Sequence, residues 1–307
     1  LTAGAQAVPR IESGLTSVVI VVANSGPLVG QCVARALASS APVEVMLVDN
    51  ASVDGEAEAA MARHRDDPRL RVLRNPFNRG FGPACNQGAA QASGDALLFL
   101  NPDCLIEIDT VAQLRDLAGR HPRAGIIGVH VLQADGQPER AIRRRDPSLR
   151  RALMSLSGLA RFETRWPSFA GVELPPAPSL RNPEPVEAVS GACLFLPRAA
   201  FDAIDGFDEG YFLHCEDLDL CRRTRDGGRD VLFAPSIPAR HEQGSSSHRR
   251  PLFVARHKHR GMWRYFRKFD PAARNPLLSA LVWCGIWAHY ALLLPVNAWR
   301  QMRSRTA

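Results

Sequence analysis

No CxxC pair occurs in the 307 residues, no GxGxxG follows the first apolar run, and GxxxxGK[ST] is absent. The first absence, with seven irregularly spaced cysteines, argues against a zinc site or a disulfide framework and for a reducing compartment. The second weakens a dinucleotide-binding reading, and the third excludes a P-loop. The opening residues lack a charged segment followed by an apolar core, so no signal peptide is expected. No internal repeat is present. Charge is missing altogether from residues 275–299, which hold no Asp, Glu, Lys or Arg.

What is present is a globular composition: 46% hydrophobic and 22% charged residues. The net charge of +7 permits an anionic partner, whether nucleic acid, nucleotide phosphate or membrane surface. The basic residues cluster. Arg143, Arg144, Arg145, Arg150 and Arg151 form one group, and residues 249–268 form another just before the uncharged tail.

Residues 1–15 read as a loose leader. Ser17 to Val22 is a β-branched strand, and Pro27 suits the first turn of a helix reaching about Ser39. Strands then alternate with helices: Val43 to Val48, a helix from Glu56, Leu70 to Leu73, a helix opened by Asn78-Arg79-Gly80, and the apolar run of Ala96-Leu-Leu-Phe-Leu100. This alternation predicts a mostly parallel, Rossmann-like sheet flanked by helices. Pro102 has no N–H to donate and stops the last strand, which leaves Asp103 at its carboxyl end. Beyond it, Ala124 to Leu132, Val186 to Leu196 and Asp230 to Ala234 read as strands. Residues 133–185 are less regular. Glu216 and Asp217 fall in the first turn of a helix, where acids suit the dipole.

Asn24, Asp49, Asp103, Glu216 and Asp217 thus gather at strand ends that share one edge of a parallel sheet. Carboxylates repel a phosphate, and a divalent cation, Mg²⁺ or Mn²⁺, resolves the conflict by bridging them. Asp103 is the natural ligand. His241 is a candidate second ligand, favouring Mn²⁺, with a solvated loop histidine as the alternative.

The stretches VVIVVANSG (from Val18), VDNASVDG (from Val48), NRGFGPACNQG (from Asn78), GDALLFLNPD (from Gly94), VSGACLFLPRAAF (from Val189), GFDEGYFLHCEDLDLCRR (from Gly206) and HEQGSSS (from His241) occur in that order. Together they resemble the family 2 glycosyltransferases of GT-A fold, in particular their rhamnosyltransferase-like branch, over about residues 16–250. The resemblance implies an inverting, metal-dependent transfer of a sugar from a nucleoside diphosphate donor, dTDP- or UDP-linked, to a cell-surface glycan or lipid-linked acceptor. The branch implies dTDP-L-rhamnose; UDP-linked hexoses stay open. By the same resemblance Ala23, Asn24 and Asp49 hold base and ribose, Asn78 and Asn86 line the nucleotide side, and Gly191 and Ala192 border donor sugar and acceptor. Asn101-Pro102-Asp103 stands at the metal motif, with Asp103 the metal carboxylate, and Asp217 of the Glu216-Asp217 pair matches the general base. A structural cap at Asp217, with Glu216 as base, is the alternative. Two positions depart from the pattern. Ala23 replaces an aromatic that stacks on the base, and Asn101 replaces the first metal-motif acid, which makes His241 more important.

Residues 251–307 read as a basic and apolar helical tail. Leu277 to Leu294 has about the length that spans a bilayer, although His289 and Pro295 weigh against it. Trp283, Trp287, Tyr290 and Trp299 suit an interface, and the preceding Arg and Lys residues suit anionic headgroups on the cytoplasmic face. The expectation is attachment to that face, with a buried helix as the alternative. Competing functions are a non-catalytic nucleotide-sugar binding module, a nucleotidyltransferase, and nucleic-acid binding, which the charge alone would explain; no specific nucleic-acid partner is expected.

Overall fold

A computed structural model describes residues 9–139, 142–174, 181–241 and 250–306. The GSSS stretch of the late polar loop, with Arg249, lies outside them. The first hundred residues form β1 (Glu12–Val22), α1 (Leu28–Leu37), β2 (Val43–Asp49), α2 (Glu56–Arg63), β3 (Leu70–Arg74), α3 (Phe81–Gln91) and β4 (Gly94–Leu100). β1 starts within the stretch read as a leader, because Glu12 pairs with Gly94 of β4. There follow β5 (Cys104–Ile106), α4 (Thr110–Arg120), β6 (Ala124–Gln133), β7 (Arg143–Arg144) and α5 (Leu149–Leu156). β8 (Glu184–Pro185), β9 (Ala188–Val189), β10 (Cys193–Pro197), α6 (Arg198–Asp202), α7 (Glu216–Asp226) and β11 (Asp230–His241) complete the sheet region. α8 (Pro251–Phe269) and α9 (Pro276–Thr306) close the chain.

The sheet order is β3-β2-β1-β4-β10-β6-β11-β5, with β8 beside β11. β1 to β4 are parallel, β10 runs against them, and β6 pairs in parallel with β11. Helices cover both faces, so the central strands are apolar on both sides. In β1, Val18, Ile20 and Val22 face the core under α1 and α4, while Val19 and Val21 face α3 and α7.

The sequence read Val186 to Leu196 as one strand; the chain breaks it at Ser190-Gly191-Ala192. There the Ala192 carbonyl accepts from the Asn101 N–H at 2.9 Å, and an added Cβ at Gly191 would lie 3.2 Å from the Asp217 Cβ. The break brings the end of β4 against the start of α7.

The Arg143–Arg151 cluster does not form an anion-binding face. Arg143 pairs with Glu184, Arg144 with Asp217, Arg145 with Glu163 and Arg151 with Glu187. Arg150 donates to the Ser168 carbonyl. These pairs tie the irregular segment to the sheet. Buried Asp146 accepts from Arg222 and Arg225 of α7 and from Tyr265 of α8. Lys268 of α8 reaches Asp219 of α7 at 2.7 Å. The tail is therefore locked to the helix that carries the acid pair.

Gly80 shows why one small residue opens α3. Its φ of 97° and ψ of 166° lie where glycine alone is comfortable, and an added Cβ would stand 2.8 Å from the Phe212 carbonyl oxygen. Gly80→Ala is expected to cost about 1–3 kcal/mol, read as a lower denaturant midpoint at unchanged m.

Candidate active site

A cleft of about 1570 Å³ opens at the carboxyl ends of β1, β2 and β4. Ala23, Asn24, Asn78, Asn101, Asp103, Gly191, Ala192, Glu216, Asp217 and His241 all line it. Two expected members do not. Asn86 is spent on the turn after α6: its side-chain amide donates to the Phe207 carbonyl and to Glu209, and its oxygen accepts the Phe207 N–H. Asp49 is buried at the end of β2, where its Oδ1 accepts the Ser52 N–H at 2.9 Å. It shapes the loop behind the cleft wall rather than lining it.

That wall is a hydrogen-bonded lattice. Asn24 adopts a left-handed φ of 58°, which is tolerated by its short polar side chain. Its Oδ1 accepts from Val53, and its N–H donates to Ser52 Oγ. Buried Asn50 donates to Asn78 Oδ1 and the Gly80 carbonyl and accepts from Asn75 and the Arg79 N–H. Asp54 holds the Gly26 N–H. Asn50, Ser25 and Asp54 line the cleft and were not singled out from the sequence. The Asp-Asn pair after β2 was the available signal for Asn50.

Strand register brings Asp103 to His241. Cys104 of β5 pairs with His241 at the end of β11, so His241 lies on a strand, not on a mobile loop. Its Nε2 is 3.0 Å from Asp103 Oδ1, and its Nδ1 is 3.5 Å from Glu139 Oε2. Burial pushes the ring toward neutrality, but the hydrogen bond to Asp103 and the charges of Asp103 and Glu139 prevail and raise it to about 10. Glu139, in the irregular segment, carried no signal in the sequence.

The acid pair sits at the start of α7 behind two successive non-glycine residues with positive φ, His214 at 66° and Cys215 at 70°. Such backbone costs about 1–3 kcal/mol per residue and clusters at functional sites. Asp217 Oδ2 pairs with Arg144 and accepts the Gly191 N–H at 3.2 Å, and Oδ1 accepts the Leu218 N–H at 2.8 Å. A carboxylate offers about four lone-pair sites, and Asp217 lines the cleft. Glu216 is buried, and its Oε2 has no hydrogen-bond partner. Burial first, and the Asp217 charge second, push it up to about 8. At pH 7 Glu216 therefore holds a proton.

This shift sets a stability test. A glutamate raised from its ordinary 4.5 to about 8 binds more protons folded than unfolded across that window, so stability falls as pH rises through it. Glu216→Gln removes the effect. Its melting temperature is expected to exceed the parent's by more at pH 8.5 than at pH 5.

His214 lines the same cleft. Burial first, then the Lys258 charge, lower it to about 4, and its Nε2 has no partner.

Among known proteins, the glycosyl transferase family 2 model matches residues 17–173. An N-acetylglucosaminyl-diphospho-decaprenol L-rhamnosyltransferase of Mycobacterium tuberculosis is 32% identical over 80% of this chain and 86% of its own length. Among solved structures, the mannosyltransferase PcManGT of Pyrobaculum calidifontis, in complex with GDP-Man and Mn²⁺, superposes with a TM-score of 0.56 at 16% identity, over 98% of this chain and 75% of its own. GalNAc-T7 with UDP, GalNAc and Mn²⁺ gives a TM-score of 0.58 at 17% identity over 75% of this chain; this chain spans 44% of it. The fold is thus that of the GT-A enzymes, with an apolar helix added at the carboxyl end. The chain belongs to glycosyl transferase family 2 and is a rhamnosyltransferase-like glycosyltransferase.

Proposed function

We propose that this enzyme transfers a sugar, with inversion, from a nucleoside diphosphate donor to a hydroxyl of a lipid-linked glycan acceptor. The observation that carries the reading is that the Asp217 carboxylate lines the same cleft as the Asp103–His241 pair. dTDP-L-rhamnose is the proposed donor, because the mycobacterial relative is named for rhamnosyl transfer to a diphosphodecaprenol-linked sugar.

Asp103 and His241 fit a divalent metal, Mg²⁺ or Mn²⁺. One carboxylate and one imidazole already converge within 3.0 Å. An ion held there would draw its remaining ligands from substrate phosphate and water. When bound, the ion would neutralise the leaving diphosphate. Ala23, Asn24 and Asn78 hold the nucleoside, with Asp49 and Asn50 keeping the loop in shape. Ala23 leaves base stacking weaker than an aromatic would. Asn101, Gly191 and Ala192 border the transferred sugar. The acceptor hydroxyl donates to Asp217 Oδ1, which takes its proton as the oxygen attacks the anomeric carbon opposite the leaving group. Protonated Glu216 keeps a second charge out of the cleft.

The proposed workplace is the cytoplasmic face of the membrane. α9 is long and apolar enough to cross a bilayer by length and composition, with a mean hydropathy of 1.8 and only 6% of that stretch buried. The test is turnover of dTDP-, UDP- and GDP-linked sugars with an N-acetylglucosaminyl-diphospho-lipid acceptor, with Mn²⁺, Mg²⁺ or chelator. Metal-dependent turnover of dTDP-rhamnose is expected; tight donor binding without turnover of any sugar would mark a binding module instead.

A further inference from the structure

The cleft is larger than one substrate requires. Its 1570 Å³ exceeds the roughly 300–1,000 Å³ typical of small-molecule sites, and part of its lining is built almost wholly of carbon. There α9 contributes Leu278, Leu281, Val282 and Ile286, spaced so that they form one stripe along one helical face. α5 contributes Leu153 and Leu156. α8 adds Met262 and Phe266.

These leucines line a cleft and yet remain open to solvent: Leu153 is 51% exposed, Leu156 63% and Leu281 67%. An amphipathic helix ordinarily buries such a face. Here two apolar faces, on α5 and α9, border the same trough. The trough is also placed rigidly. Gly261 of α8 lies so close to α7 that an added Cβ would stand 2.6 Å from the His214 carbonyl oxygen. Lys258, one turn earlier on α8, stands near enough to His214 for its charge to help lower that ring's pKa. Lys258 lines the cleft and pairs with no carboxylate among the described residues. An apolar trough, an unpaired cation and an acid pair thus share one continuous cavity.

We infer that this trough receives the first segment of a membrane lipid's hydrocarbon chain, with the phosphate that joins the chain to the acceptor sugar on Lys258. The inference rests on the lipid-linked acceptor reading above and says where that lipid is held. The chain leaves the bilayer along the α9 stripe, so the sugar reaches Asp217 while the lipid's far end stays in the membrane. Leu153 and Leu156 then act as determinants of acceptor class. A second copy of the chain is the competing occupant.

The experiment is calorimetric binding of geranyl diphosphate and of inorganic diphosphate to the full chain in lipid nanodiscs, with empty discs as blank. The parent is expected to bind geranyl diphosphate at least tenfold more tightly than inorganic diphosphate. Leu153→Gln with Leu156→Gln, both surface changes, is expected to bring the two within about twofold, and Lys258→Ala to weaken both. Equal binding of the two probes by the parent, or an unchanged ratio in the leucine variant, would overturn the inference. So would a leucine variant that changes only the oligomeric state. Donor turnover in the same preparation is read separately. Its loss with the binding ratio intact would strike the transferase reading and leave the trough standing.

Discussion

Asp217→Asn lowers kcat by about 10²–10⁴-fold, the usual worth of a positioned general base, while donor affinity stays near the parent value. Asparagine matches aspartate in shape but has a single side-chain oxygen, so of the Leu218 and Gly191 N–H groups, which bond Oδ1 and Oδ2, only one keeps an acceptor. What is lost is the ability to take a proton. The substitution also leaves Arg144, half of a largely buried pair, without its counter-charge. Breaking such a pair costs about 3–5 kcal/mol, so the melting temperature is measured alongside. A folded variant with intact donor binding and lost kcat assigns the base. Glu216→Gln is expected to do much less to kcat near pH 7, because Glu216 already holds a proton there. If Glu216→Gln abolishes turnover and Asp217→Asn does not, the two roles are exchanged.

Mn²⁺ affinity, measured by calorimetry with the donor's nucleoside diphosphate present, rises about tenfold per pH unit between pH 7 and pH 9. The reason is competition for one nitrogen. His241 Nε2 is hydrogen-bonded to Asp103, and the ring's pKa stands at about 10, so the ring is protonated across this range. A metal ligand must be the neutral imidazole, so each ion bound displaces one proton. Affinity therefore climbs until the pH passes the ring's own value. His241→Ala binds more weakly at pH 9 and loses most of the slope. A parent whose Mn²⁺ affinity is flat from pH 7 to pH 9 would remove His241 from the ligand set and leave Asp103 alone.

Much of the sheet was legible in the sequence because its strands are buried on both faces and so are written as unbroken apolar runs, as in Val18 to Val22 and Leu97 to Leu100. The convergence of Asp103, Glu216 and Asp217 followed from strand ends and from motif order. What escaped detection depends on contacts between distant residues. Nothing local in the 133–185 stretch marks Arg144 as the partner of Asp217, 73 positions later. Nor does it mark Glu139 as the neighbour of His241. Asn86 stands outside the cleft lining for the same reason: its side chain is claimed by Phe207, 121 residues away. Asp49 was drawn into its own turn by Ser52, a local competition of the kind Asp side chains often win. The basic cluster at Arg143–Arg151 was visible in the sequence, but the carboxylates that meet it were not.

The C-terminal helices show how two signals can share one segment. Pro295, which weighed against a bilayer span, lies inside α9; proline inside an apolar helix is tolerated where neighbouring groups satisfy the freed backbone. The buried His259 of α8 meets His289 of α9 at 3.0 Å, which fixes the two helices against each other. The apolar stripe facing the cleft therefore has a defined position relative to Asp217.

The central claim is that Asp217 delivers a hydroxyl directly to the anomeric carbon in a single displacement. The measurement that tests it most directly is the anomeric configuration of the first product, read from the one-bond carbon–hydrogen coupling in its NMR spectrum. The account predicts a product of configuration opposite to the donor's. A product that retains the donor's configuration would require an intermediate for which this cleft offers no assigned nucleophile, and would contradict it.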